Sequence, residues 1–147
     1  MLGIYLSGTG NTKHCVEKLV NLLDDTARCI PLETPYITDM LENENTIVLG
    51  YPTQFSNAPF MVRDFIRKNS YLWKDKKVFC VNTMGLFSGD GTGCTARLLK
   101  KYGAEILGGL QIKMPDSVCD SKLLKKGVEE NRQIVKNADK RIEQTAE

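Results

Sequence analysis

Apolar runs and amphipathic segments alternate along this chain from end to end. Residues 2–6 form an apolar run of strand length, and residues 12–23 place Cys15, Val16, Leu19, Leu22 and Leu23 at helical spacing. Residues 27–32 read as a weaker strand stopped by Pro31 and Pro35, with a short helical turn near 38–41. Residues 46–51 (TIVLGY) are apolar almost throughout, the pattern of a strand covered on both faces. Pro59 suits the first turn of a helix whose apolar face is Phe60, Val62, Phe65 and Ile66. Residues 77–82 (KVFCVN) predict another buried strand, 95–102 a helix closed by Gly103, and 106–114 a longer final strand. From Ser121 to about Ala146 a polar helix carries Leu124, Val128, Val135, Ala138 and Ile142 on one stripe.

Strands interleaved with helices through short connections predict an α/β fold: a doubly wound, five-stranded parallel sheet with helices on both faces. Residues 1–147 form one domain without repeat, linker or low-complexity segment. In such sheets ligands sit beyond the carboxyl ends of the strands, near the topological switch point. Three loops meet that rule: residues 7–12, 51–59 and 83–93.

Composition narrows the class. With 147 residues, 41% hydrophobic and 26% charged, the chain is long enough for a buried core and ordinary for a globular domain. No apolar run approaches a membrane span, and no basic segment precedes a signal-like apolar stretch, so a cytoplasmic protein is expected. The net charge of +2 argues no case for nucleic acid, and the lysines of the last helices read as a solvated face. Cys15, Cys29, Cys80, Cys94 and Cys119 match no zinc or iron–sulfur spacing, which fits a reducing compartment. Cys15, Cys29 and Cys80 read as buried small hydrophobes. Cys94 is expected to open a helix beside a glycine-rich loop, a place that lowers a thiol pKa, although a packing role is the simpler reading. His14, the single histidine, reads as a surface or packing residue.

The first loop carries the clearest chemistry. Ser7-Gly8-Thr9-Gly10-Asn11-Thr12 joins a strand to a helix whose first backbone N–H groups have no internal partner and lie at the positive end of the helix dipole. Ser7, Thr9 and Thr12 add hydroxyls, while Gly8 and Gly10 permit close approach of the backbone. No Gly-Lys pair makes a Walker loop, and Lys13 stands where a dinucleotide fingerprint needs its third glycine. No cysteine ends the strand, and no acidic cluster precedes Glu17. A phosphate-binding turn remains, as does an ordinary polar strand-to-helix turn.

The second loop, Tyr51-Pro52-Thr53-Gln54-Phe55-Ser56-Asn57-Ala58-Pro59, supplies an aromatic ring, hydroxyls and amides. The third, residues 83–93 (TMGLFSGDGTG), spends four glycines in eleven positions, a conformational cost that close backbone approach to a ligand would explain. The two loops hold a single charge, Asp90.

The [ST]-x-T-G-x-T loop and its two companions resemble those of flavodoxin-like FMN proteins along essentially the whole chain. The resemblance implies that Ser7, Thr9, Gly10, Asn11 and Thr12 bind the FMN phosphate. Pro52, Thr53, Gln54, Phe55, Ser56 and Asn57 would then line one side of the isoalloxazine, and Thr83, Met84, Gly85, Phe87, Asp90 and Gly91 the other. Phe55 and Phe87 are its candidate ring-packing aromatics. The P-x-x-F-x-N-x-P and S-G-D-G loops are most similar to the flavodoxin half of flavodoxin–ferredoxin fusion proteins, which continue into a cysteine-rich cluster segment. The chain is then either a short homologue or the N-terminal part of a longer one.

The resemblance implies electron transfer with a redox protein partner, such as a ferredoxin or ferredoxin-like domain, and neither nucleic acid nor a membrane span. The alternative is an oxidoreductase of the same fold acting on a quinone, a protoporphyrinogen or NAD(P)H. Flavodoxins are commonly acidic, with a Tyr or Trp against the flavin, whereas this chain is slightly basic and its one Trp, Trp73, lies outside the loops. Many carry a glycine in the second loop whose peptide turns on reduction. Ser56-Asn57 stands there, where a positive φ costs more.

Overall fold

The computed structural model describes residues 1–116 and 125–147. Along the chain run β1 (Leu2–Tyr5), α1 (Asn11–Leu23), β2 (Arg28–Pro31), α2 (Ile37–Glu42), β3 (Thr46–Pro52) and α3 (Phe60–Lys68). A 3-10 turn (Ser70–Leu72), β4 (Lys77–Met84), α4 (Gly91–Lys101), β5 (Glu105–Lys113) and α5 (Val128–Ala146) follow. The strands form one parallel sheet in the order β2-β1-β3-β4-β5, the predicted doubly wound architecture.

Strand alternation divides the core between the two faces. Ile47, Leu49 and Tyr51 of β3 point to one side with Val78 and Cys80 of β4, and α2, α3 and α4 cover them through Leu41, Val62, Ile66 and Leu99. Val48 and Val81 point to the other side, beneath Cys15, Val16, Leu19 and Val20 of α1 and Ala138 and Ile142 of α5. Each buried Val, Leu or Ile among them contributes about 1.5–3 kcal/mol, so the sheet is held from both faces. Trp73 is fully buried in the first layer, donating its indole N–H to the Ile66 carbonyl at 3.1 Å and meeting Phe65 edge-on. His14 ties α1 to α5 through Asp139, with 2.7 Å between Nε2 and Oδ1.

Helix faces are narrower than the apolar positions suggested. The buried stripe of α1 is Cys15, Val16, Leu19 and Val20, leaving Leu22 and Leu23 about half exposed beyond the sheet's reach. Phe60 is exposed on α3, whose Val62 and Ile66 are buried and whose Phe65 packs partly against the core. α4 starts at Gly91 rather than Thr95, and the added turn is held at the Gly91 carbonyl by the Tyr51 hydroxyl of β3 and, within the helix, by the Thr95 hydroxyl. α5 starts at Val128, preceded by non-helical Lys125, Lys126 and Gly127, and Val128 is 70% exposed rather than on the buried stripe. Ser121 and Leu124 of the predicted helix, and Cys119, lie outside the described residues.

The cysteines of the core are inert. Cys15 and Cys80 are fully buried and Cys29 half-buried, and loss of solvation pushes their thiols up to about 12, about 12 and about 11.

Candidate functional site

Four segments meet at the carboxyl edge of the sheet, one from each of the contiguous strands β1, β3, β4 and β5. Residues 7–9, 11–12, 52–54, 83–85 and 114–116 line a cleft of about 280 Å³. The order reverses at β1, whose neighbours β2 and β3 lie on opposite sides, so the cleft opens at the switch point.

The first loop turns into α1 through Gly10, whose φ of 97° is left-handed backbone that a side chain would strain. Ser7 Oγ accepts the N–H groups of Gly10 and Lys13, both at 3.2 Å, and so occupies donors at the helix start. A Cβ placed on Gly8 would meet nothing within 4 Å, so open space lies over this turn. Thr12 is buried, and its Oγ1 shares a hydrogen bond of 2.8 Å with Thr83 Oγ1 of β4. Asn11 reaches the other way, donating its side-chain amide to the Pro115 carbonyl at 2.8 Å.

Beneath the cleft, Asn82 is a fully buried junction between β3 and β4. Its Oδ1 accepts the Thr53 hydroxyl at 2.9 Å, and its amide donates to the Tyr51 carbonyl at 3.3 Å. The Thr53 N–H donates to the Thr83 carbonyl at 2.8 Å, extending the ladder of β3 and β4 into the loops. The Tyr51 hydroxyl donates to the Gly91 carbonyl at 3.0 Å, which anchors α4 behind the third loop. Gly91 packs so closely on Asn82 that a Cβ there would stand 2.6 Å from Oδ1. Desolvation raises the Tyr51 phenol well above its ordinary pKa and keeps it a neutral donor.

The second loop folds back on itself. Gln54 and Asn57 exchange backbone hydrogen bonds of 2.8 and 2.9 Å, leaving Phe55 and Ser56 as the central pair of a tight turn. Both take positive φ, 48° and 58°, as a type I′ turn requires. The strained positions are therefore Phe55 and Ser56 rather than Ser56-Asn57. Asn57 instead accepts the Ala58 N–H on its side-chain oxygen at 2.8 Å. The turn holds the Phe55 ring fully exposed, and Phe87 of the third loop is also largely exposed.

Electrostatics near α4 run opposite to expectation. Arg97 pairs with the Asp90 carboxylate and holds it below the ordinary carboxylate range. The Cys94 thiol lies 3.4 Å from Asp90 and is raised, not lowered, first by desolvation and then by that carboxylate. Cys94 also sits inside the first turn of α4 instead of opening the helix.

The structure thus gathers Ser7, Thr9, Asn11, Thr12, Pro52, Thr53, Gln54, Thr83, Met84 and Gly85 around one cleft, together with Gly8. Gly10, Phe55, Ser56, Asn57, Phe87, Asp90 and Gly91 stand around it without lining it. Sequence reasoning missed Met114, Pro115 and Asp116, which the same edge rule would have placed at the end of β5. They bring the Asp116 carboxylate to a cleft whose lining was expected to carry no charge but Asp90. Asn82 and Tyr51, the supports, gave no local signal.

Among the described residues no helix is long and apolar enough to cross a membrane, and no group of three His, Cys, Asp or Glu could hold a metal ion. No protein-family model and no curated protein matches the sequence. Solved structures do. A two-electron reduced flavodoxin of Megasphaera elsdenii aligns over 95% of this chain and 99% of its own, with 22% identity and a TM-score of 0.69. The Trp repressor binding protein of Bacillus subtilis aligns over 95% and 96%, with 14% identity and a TM-score of 0.67. Rubredoxin oxygen:oxidoreductase from Desulfovibrio gigas aligns over 99% of this chain but 35% of its own, with 16% identity and a TM-score of 0.67. With strand order 2-1-3-4-5, these likenesses show that the chain adopts the flavodoxin-like α/β fold.

Proposed function

We propose that this domain binds FMN in the cleft and serves as a cytoplasmic electron-transfer protein. The observation that carries the proposal is the continuity of the cleft. A hydroxyl-bearing helix start with open space over Gly8 runs directly into neutral walls from residues 52–54 and 83–85. Those residues fit the group: donors for an anion at one end, amides and flat backbone for a ring system at the other.

When bound, FMN supplies electron transfer through its isoalloxazine. The chain's own residues supply position and field. Ser7 and Thr9, with the first N–H groups of α1, would hold the phosphate, the Ser7 hydroxyl proton being available to it while Oγ accepts the Gly10 and Lys13 N–H groups. Thr12 and Thr83 keep the first and third loops in register. Asp116 is the charged side chain of the lining, and a carboxylate there opposes the gain of negative charge on reduction, which lowers the potential. Phe55, Leu86 and Phe87 offer exposed apolar surface around the cleft to a redox protein such as a ferredoxin-like domain. The P-x-x-F-x-N-x-P and S-G-D-G loops support a place near the flavodoxin half of flavodoxin–ferredoxin fusions.

A visible absorption spectrum of the purified protein, titrated with FMN and then reduced stepwise, tests this. One equivalent of FMN is taken up with a structured, shifted flavin band and quenched fluorescence. A protein that stays colourless overturns the proposal. Steady turnover with NAD(P)H or a quinone as the sole partner would replace electron transfer by the oxidoreductase reading.

A further inference from the structure

The side chain of Asn11 is already committed. Its amide donates to the Pro115 carbonyl at 2.8 Å, bridging 104 residues between the start of α1 and the segment that leaves β5. That segment is otherwise fixed on its sheet side by the Met114 N–H, which donates to the Met84 carbonyl at 2.8 Å. The Met114 side chain is buried in the core beside Ile112, so Asn11 adds a tie at Pro115, where the segment passes the start of α1.

Resting on the FMN reading, we infer that Asn11 is a positioning residue: it fastens the Met114–Pro115–Asp116 wall across the cleft and is not a phosphate ligand. Ser7, Thr9 and the backbone donors of the helix start face the anion, whereas the Asn11 side-chain amide is engaged with the Pro115 carbonyl of this wall. The wall lies beside residues 83–85, through the Met114–Met84 hydrogen bond, and lines the same cleft, so loosening it acts on whatever fills the cleft and not through a bond to the charged end.

The test compares two ligands that differ only in the phosphate. FMN and riboflavin are titrated into the unsubstituted protein and into Asn11→Ala, and hydrogen exchange of the 113–116 backbone is followed in both without ligand. The expectation is that affinity for both flavins falls by the same factor, about fivefold, as for a lost side-chain hydrogen bond of about 1 kcal/mol. The FMN-to-riboflavin ratio stays constant, and exchange of the Lys113, Met114 and Asp116 amides quickens. A loss confined to FMN would make Asn11 a phosphate ligand and overturn the inference, as would unchanged exchange. Should the unsubstituted protein take up neither flavin, the FMN reading fails, while the exchange comparison still decides whether Asn11 fastens the wall.

Discussion

Thr12 and Thr83 lie 71 residues apart, yet their hydroxyls share a 2.8 Å hydrogen bond in the buried floor of the cleft. Thr12 is 2% and Thr83 4% exposed, so neither hydroxyl has ready access to water as a substitute partner. Thr83→Val removes one partner and leaves the other buried, which costs about 1–2 kcal/mol. Removing both with Thr12→Val and Thr83→Val costs clearly less than the two single losses together, because no hydroxyl is then left unpaired. Urea unfolding of the ligand-free protein measures all three; strict additivity would show that the pair does not couple the loops.

Gly91 and Asn82 form a second coupled pair. A Cβ at 91 stands 2.6 Å from the Asn82 carboxamide oxygen and 3.0 Å from its Cγ, so Gly91→Ala overpacks a rigid site by about 1–3 kcal/mol. Asn82→Ala by itself removes partners from Thr53 and Tyr51, a loss of about 1–3 kcal/mol. In the double variant the added methyl fills space vacated by the carboxamide. Its stability should exceed the additive expectation by about 1 kcal/mol or more. Thermal or chemical unfolding of the four proteins closes the cycle.

The turn at residues 54–57 keeps two non-glycine residues at positive φ, at a cost of about 1–2 kcal/mol each. Phe55→Asn with Ser56→Gly installs the dipeptide that type I′ turns favour. The melting temperature is expected to rise by about 2–4 °C for each kcal/mol relieved in a chain of this size. If Phe55 packs on the isoalloxazine, flavin affinity falls as stability rises. Opposite signs in calorimetry and in FMN titration would mark the turn as strained for function; a fall in both would contradict the strain itself.

Cys94 is predicted to be a sluggish nucleophile. Its thiol pKa is raised by desolvation and by Asp90, with Arg97 working the other way, so at a given pH less thiolate is present than for a free cysteine. Asp90→Asn removes a raising influence and shifts the midpoint of alkylation to lower pH. Arg97→Ala removes a lowering influence and shifts it upward. Mass spectrometry of iodoacetamide labelling at Cys94 across a pH series reads both shifts. If Asp90→Asn slowed the reaction, this account of the Asp90–Cys94–Arg97 cluster would be wrong.

The elements and their order were legible because periodicity is a local property. Residues 46–51 and 77–82 are apolar runs that only two-sided burial suits, and they became the central strands β3 and β4. Element ends were less legible. Leu22 and Leu23 continue the helical spacing of α1, but the sheet below reaches only as far as the stripe through Val20. The start of α4 moved back to Gly91 because the Tyr51 hydroxyl, 40 residues earlier, holds that carbonyl.

Sequence by itself determined the alternation of strand and helix, the parallel doubly wound sheet, and a hydroxyl- and glycine-rich turn where β1 enters α1. Those follow from side-chain periodicity and backbone freedom, which neighbouring residues dictate. Tertiary structure alone decided which side chains face the cleft and which are already engaged. It turned Ser7 onto the helix start, gave Asn11 to Pro115, buried Asn82 as the junction beneath the loops, and brought Asp116 to the lining. Each of those assignments depends on a partner distant along the chain, and hydrogen-bond partners at such separations are set by how the sheet is packed, not by the spacing of residues within any one loop.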